Sequence, residues 1–241
     1  MTQVPPPFVL GILGGMGPLA TADFFAKLVA CTPAQDDRDH VPVVLASLPQ
    51  IPPRVPAILH GGVSPLPALL AVRDRLIAAG ATLLVMPCNT AHHWYDDLAR
   101  GAPPMLHIAD AAVDALCATG QTPPAVGLVA TAGTLASGFY QQRLAVRGCA
   151  VLEPTAADLM EVIAPAVGAV KAGRLGEGGR GFQEAATRLA ARGAAAVILA
   201  CTEVPPALAA VGLPPGIRCV DATEALARAC VAQWEQLRRN S

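Results

Sequence analysis

The chain has 241 residues, of which 53% are hydrophobic and only 15% charged. Disordered chains have the opposite balance, so a packed core is expected, in one large domain or two small ones at roughly 150 residues per domain. With 17 basic and 18 acidic residues the net charge is −1 and no positive surplus clusters, which argues against nucleic-acid binding. No apolar run reaches membrane-spanning length, so no membrane association is expected. Residues 1–8 show no basic segment ahead of a hydrophobic stretch, and no signal peptide is expected there. Seven cysteines at irregular spacings do not read as a disulfide framework. They fit free thiols in a cytoplasmic protein.

In chain order, a strand over 8–13 ends in the turn Gly14-Gly15-Met16-Gly17-Pro18, and a helix follows to about Cys31. A strand over 41–47 leads into a proline-rich loop, 49–56, and a helix over 65–79. A strand over 82–87 and a helix over 90–100 complete the first half. Such βα alternation calls for a parallel sheet covered on both faces. The glycine turn lacks the spacing of a dinucleotide fingerprint and the Lys-Ser/Thr of a phosphate loop. It reads as a tight strand-to-helix turn that brings backbone to a cleft, with Met16 lining it.

The second half repeats the first. Val9-Leu10-Gly11-Ile12-Leu13 recurs as Ala125-Val126-Gly127-Leu128-Val129, an offset of 116 shared by Leu19-Ala20 with Leu135-Ala136, Phe24 with Tyr140 and Leu28 with Leu144. Gly80-Ala81 and the strand ending at Cys88 recur at an offset of 113 as Gly193-Ala194 and the strand ending at Cys201. Asp110-Ala111 and Asp221-Ala222 follow at an offset of 111. The fold expected is therefore α/β, with two pseudo-symmetric lobes, each a mainly parallel sheet covered by helices. The site should lie in the cleft between them, beyond the carboxyl ends of the strands. The first lobe is expected to take 1–108 plus 221–241, closed by a final helix over 222–238, and the second 109–220.

Cys88 lies in Met86-Pro87-Cys88-Asn89-Thr90-Ala91-His92 and Cys201 in Leu199-Ala200-Cys201-Thr202-Glu203, each after a strand and before a helix. A helix N-terminus offers free N–H groups and positive partial charge. A thiol there should ionise more easily, and a carboxylate can be held beside it. The other five cysteines read as small buried hydrophobes. A metal needs three or four ligands, and no CxxC pair or histidine cluster supplies them, so no metal site is expected. Two thiols in equivalent positions suit stereoinversion. One removes an α-proton and the other returns a proton to the opposite face of the carbanion.

Gly14-Gly15-Met16-Gly17-Pro18-Leu19-Ala20-Thr21, Pro87-Cys88-Asn89-Thr90-Ala91-His92 and Ala200-Cys201-Thr202-Glu203 together resemble the aspartate/glutamate racemase family, its aspartate racemases most of all. The resemblance implies a racemase of two lobes that needs no cofactor, forms a homodimer and takes a small acidic amino acid. It implies that Cys88 and Cys201 are the two bases and that Asn89, Thr90 and Thr202 hold the substrate's carboxylate and ammonium. It points to Arg54, in a loop beginning Pro49-Gln50, and to Lys171 as cations for a side-chain carboxylate. Ala91 and Gln50 join the candidate contacts.

By itself, Arg54 reads equally as a solvated loop residue, and Lys171 as a cation at a helix C-terminus. His92 either polarises Cys88 or packs. Glu203 either steers the Cys201 proton or favours the helix start, and Thr131 reaches the ligand from the end of its strand. His93 is expected at the surface. Other open readings are a family relative acting on glutamate, a hydantoin or maleate, a Cys88–His92 hydrolase, and a non-catalytic binder of acidic metabolites.

Overall fold

The computed structural model describes residues 8–118, 120 and 122–239. Residues 1–7, and with them most of the segment read for a signal peptide, lie outside these. The first half runs β1 (Leu10–Gly14), α1 (Pro18–Cys31), β2 (Val43–Ser47), α2 (Arg54–Leu59), α3 (Leu66–Ala78), β3 (Leu83–Val85), α4 (Tyr95–Ala99) and α5 (Ile108–Cys117). The second runs β4 (Ala125–Ala130), α6 (Ala132–Ala136), α7 (Phe139–Val146), β5 (Ala150–Leu152), α8 (Ala164–Lys171), α9 (Leu175–Ala191), β6 (Ala196–Ala200), α10 (Val204–Val211), β7 (Cys219–Asp221) and α11 (Ala222–Arg239).

The strands form two wholly parallel sheets, ordered β2-β1-β3 and β5-β4-β6-β7. A single parallel bridge between Leu84 and Met105 stands where the first sheet would have its counterpart of β7. β1, β3 and β6 are buried at every position, which is why they read as unbroken apolar runs. The repeat extends to packing. A Cβ on Gly11 would meet Ala81 at 2.7 Å and Leu76 at 3.4 Å, and one on Gly127 would meet Leu189 at 3.0 Å and Ala194 at 3.3 Å. These are the same helix and strand positions in each half, separated by the same offset as the two cysteines.

Alternate residues of each strand enter different cores. Leu10, Ile12, Val126, Leu128 and Ile198 join Phe24, Tyr140, Leu226 and Trp234 in one core shared by both sheets. The outer faces bury Leu13 and Leu84 with Leu69 and Leu76 of α3, and Val129 and Val197 with Phe182 and Leu189 of α9. The helix that closes each half packs on the other half: α5 against α7, and α11 against α1. Among the described residues no helix is long and apolar enough to cross a membrane.

Two local expectations are corrected. The proline-rich segment 49–56 is not loop throughout, because α2 starts at Arg54. Pro56 falls in its first turn, where no backbone N–H is needed. The segment 90–100 is not one helix: a 3₁₀ turn, Thr90–Trp94, precedes α4. The Cys88 carbonyl, which an α-helix would pair with the N–H of residue 92, is taken at 2.9 Å by the His92 ring, while that N–H bonds Asn89 at 3.0 Å.

Candidate active site

A cavity of about 620 Å³ opens between the two halves. The turn after β1 supplies Gly15, Met16 and Gly17, the entry to α2 supplies Ile51 and Arg54, and the segment after β3 supplies Cys88, Asn89 and Thr90. From the second half come Thr131 after β4, Lys171 at the end of α8, and Cys201, Thr202 and Glu203 after β6. Gly15 holds φ +95°, and a Cβ there would sit 2.2 Å from the Leu48 backbone nitrogen, so only glycine fits. The Thr21 hydroxyl pins the turn, accepting from the Gly15 N–H at 2.8 Å and donating to the Gly17 carbonyl at 2.9 Å.

The two sulfurs are buried, 4% exposed at Cys88 and 3% at Cys201. Both thiols are pushed above the ordinary range, chiefly by burial. This corrects the expectation that the helix start would lower them. The backbone N–H groups of Ala91 and Glu203 do favour the thiolates, but desolvation wins. The neighbourhoods differ in sign. The Arg54 cation works against the rise at Cys88. At Cys201 the Glu203 carboxylate adds to it, accepting the thiol proton at 3.3 Å, and Lys171 only partly opposes it.

Arg54 is half-buried and bonds three carbonyls, those of Ile51 at 3.4 Å, Pro52 at 3.3 Å and Met16 at 3.2 Å, while its Nε has no partner among the described residues. Among the described residues no carboxylate pairs with it, and none pairs with Lys171. Asn89 is buried; its Oδ1 accepts from Tyr140 at 2.6 Å and its Nδ2 has no partner among the described residues. The hydroxyls of Thr90, Thr131 and Thr134 form a ring at 2.9, 3.0 and 3.1 Å. Thr202 donates to Glu203 at 3.3 Å.

Three candidates do not line the cavity. Gln50 is exposed between two lining residues, Pro49 and Ile51. Ala91 points into the core beneath β3. His92 sits behind the Cys88 backbone: its Nδ1–H donates to the Cys88 carbonyl and its Nε2 accepts from the Ile108 N–H at 3.2 Å. With both nitrogens committed to backbone, and burial holding its pKa down to about 4, it is a neutral clamp and not a base for the sulfur. That removes the geometry a Cys88–His92 hydrolase requires. His93 is exposed. Of the cysteines read as buried hydrophobes, Cys149 and Cys230 are buried, whereas Cys31, Cys117 and Cys219 are only partly so.

Sequence reasoning missed Thr134 and Tyr140, which meet Thr90 and Asn89 across 44 and 51 residues. The pairing of Tyr140 with Phe24 in the repeat was the one available signal.

Comparison with known proteins accords with this architecture. A family profile described as Asp/Glu/hydantoin racemase matches residues 13–230. The chain is 28% identical over 149 residues to the broad specificity amino-acid racemase RacX of Bacillus subtilis, an alignment covering 60% of this chain and 63% of that protein. It is 40% identical over 78 residues to a glutamate racemase of Corynebacterium kroppenstedtii, covering 31% of this chain and 26% of that one. The chain thus spans less than two thirds of either curated relative. The solved structure of Picrophilus torridus aspartate racemase superposes with a TM-score of 0.83 at 29% identity, over 95% of this chain and 94% of that one. Glutamate racemase from Francisella tularensis, in complex with D-glutamate, has the same fold, with a TM-score of 0.70 at 15% identity over 96% of this chain and 82% of that one.

Proposed function

The chain belongs to the Asp/Glu/hydantoin racemase family, and from that premise we propose that it is a cofactor-independent racemase of small acidic amino acids, aspartate first. The observation that carries this reading is that Cys88 and Cys201, from equivalent strand ends, line one cavity.

The α-proton of an amino acid is a very weak acid, so the site must lower the cost of the carbanion and supply an acid and a base together. In the proposed reaction the Cys88 thiolate takes the α-proton. The C–H bond breaks, an S–H bond forms, and the electron pair delocalises into the α-carboxylate. Cys201 then donates its thiol proton to the opposite face and is left as the thiolate, and the reverse reaction exchanges the roles. The assignment of resting base and resting acid follows the neighbours. Burial raises both thiols, so the assignment is relative: Arg54 makes Cys88 the easier of the two to ionise, and Glu203 makes Cys201 the firmer holder of its proton.

Asn89, Thr90, Thr131 and Thr202 line the same cavity and supply donors for the carboxylate on which charge grows. The ring of three threonine hydroxyls has three protons for three bonds, so an arriving carboxylate would take one of them over. Arg54 and Lys171 are cavity cations without a carboxylate partner among the described residues, and a second carboxylate on the substrate would complete them. The likeness to Picrophilus torridus aspartate racemase at 29% identity supports aspartate as the first substrate to try.

The test is interconversion of L- and D-aspartate by the purified protein, followed by chiral chromatography, with glutamate and a monocarboxylic amino acid alongside. Racemisation of aspartate is expected. Equal rates on a monocarboxylic amino acid would overturn the roles given to Arg54 and Lys171, and activity on none of the three would overturn the function.

A further inference from the structure

The Asn89 amide reaches the cavity with one end already committed. Its Oδ1 accepts from the Tyr140 hydroxyl at 2.6 Å, while its Nδ2 is buried and has no partner among the described residues. An amide has an acceptor end and a donor end, so a donor fixed against Oδ1 decides which way Nδ2 faces. Tyr140 is fully buried in the shared core, on α7. Burial pushes its phenol above the ordinary range, so it stays a neutral donor.

The repeat shows what this position requires. The residue equivalent to Tyr140 in the first half is Phe24, equally buried in the same core. Packing there is met by a phenyl ring, so the hydroxyl of Tyr140 has another purpose. Its hydrogen-bond partner is Asn89, which follows Cys88, whereas the residue after Cys201 is Thr202 and bonds Glu203 instead. A buried donor left unpaired is rare in native structures and calls for a partner from outside the chain.

We propose that Tyr140 is a positioning residue: its hydroxyl, reaching across from the second half, holds the Asn89 amide so that Nδ2 is presented to an oxygen of the substrate's α-carboxylate. The inference rests on the proposed function for the identity of that ligand. Tyr140 touches no substrate; it acts only through Asn89.

The test uses the full chain carrying Cys88→Ala and Cys201→Ala, so that binding of L- and D-aspartate is read by calorimetry without turnover. Adding Tyr140→Phe should weaken binding about tenfold, the size of one hydrogen bond to a charged group. Asn89→Ala should weaken it at least as much, and Tyr140→Phe should then add nothing further. Equal binding by the Tyr140→Phe protein and its parent would overturn the proposal. So would a tenfold loss that persists when Asn89 is already alanine, because a general structural effect would add. Binding of neither aspartate nor glutamate by the parent would instead strike the substrate assignment, and this inference with it. A Tyr140→Phe melting temperature within a few degrees of the parent's shows that the fold is kept, as Phe24 leads one to expect.

Discussion

The first half brings Cys88 to the cavity beside a guanidinium, and the second brings Cys201 to the same cavity beside a carboxylate. Both sulfurs follow a parallel strand of the same sheet position, and both are buried to the same degree. The repeat therefore sets where the sulfurs are, and the residues that do not repeat push their proton affinities in opposite directions. After Cys88 come Asn89, tied to Tyr140, and His92, tied to backbone; the corresponding positions after Cys201 hold Thr202 and Pro205. A racemase must treat mirror-image substrates with comparable groups, yet it must rest with one base and one acid. In the proposed mechanism a duplicated scaffold with unlike neighbours would serve both needs.

The largest effects should come from removing either sulfur. Cys88→Ala and Cys201→Ala should each lower racemisation by on the order of 10³-fold, within the span of general acid–base catalysis. Near-normal activity in either variant, by chiral chromatography, would break the equivalence of the halves.

The His92 clamp, which only the first half has, predicts an acid-sensitive fold. Its folded pKa of about 4 lies below the ordinary 6.5, so the unfolded chain binds that proton first. Stability is thus intact above about pH 6.5 and is lost as the pH falls towards about 4, by roughly 3 kcal/mol. Burial lowers the His107 pKa as well, and it adds in the same direction. Urea unfolding at pH 7.5 and 4.5 measures the loss, and His92→Gln should remove the His92 share of it. An unchanged difference in that variant would show that His92 does not carry the effect.

Arg54→Ala removes the cation beside Cys88 and should lower kcat/KM for aspartate by about 10- to 100-fold, as loss of a charged hydrogen-bonding partner does. It should also move the thiolate limb of the pH–rate profile to higher pH. A fall in kcat/KM with no shift of that limb would separate carboxylate binding from tuning of the sulfur. Glu203→Gln is the smallest and has the opposite sign. Removing the negative charge should let Cys201 ionise at lower pH and raise its alkylation by iodoacetamide at pH 8 by about tenfold. No change would mean that Glu203 does not set the resting proton.

The parallel sheets, the repeat and the placing of both cysteines at strand ends were legible in the sequence, because buried strands and glycine-marked turns are local signals. The start of α2 was not, since Pro52, Pro53 and Pro56 together look like a loop until Pro56 is seen to fall in the first turn, which tolerates proline. The direction of the thiol shifts was not legible either: the helix-start effect is local, while the burial that exceeds it depends on both halves closing over the cavity. Tyr140 and Thr134 meet their partners only across the interface between the halves, at separations no motif spans.

In the proposed mechanism one substrate carbon lies between the Cys88 and Cys201 sulfurs, each serving one face. Incubating L-aspartate with the protein in deuterated water and stopping early gives the direct test. Two bases predict that the first D-aspartate formed carries deuterium at the α-carbon while the remaining L-aspartate is still protonated. Deuterium appearing equally in both enantiomers from the start, or D-aspartate formed without any, would contradict it.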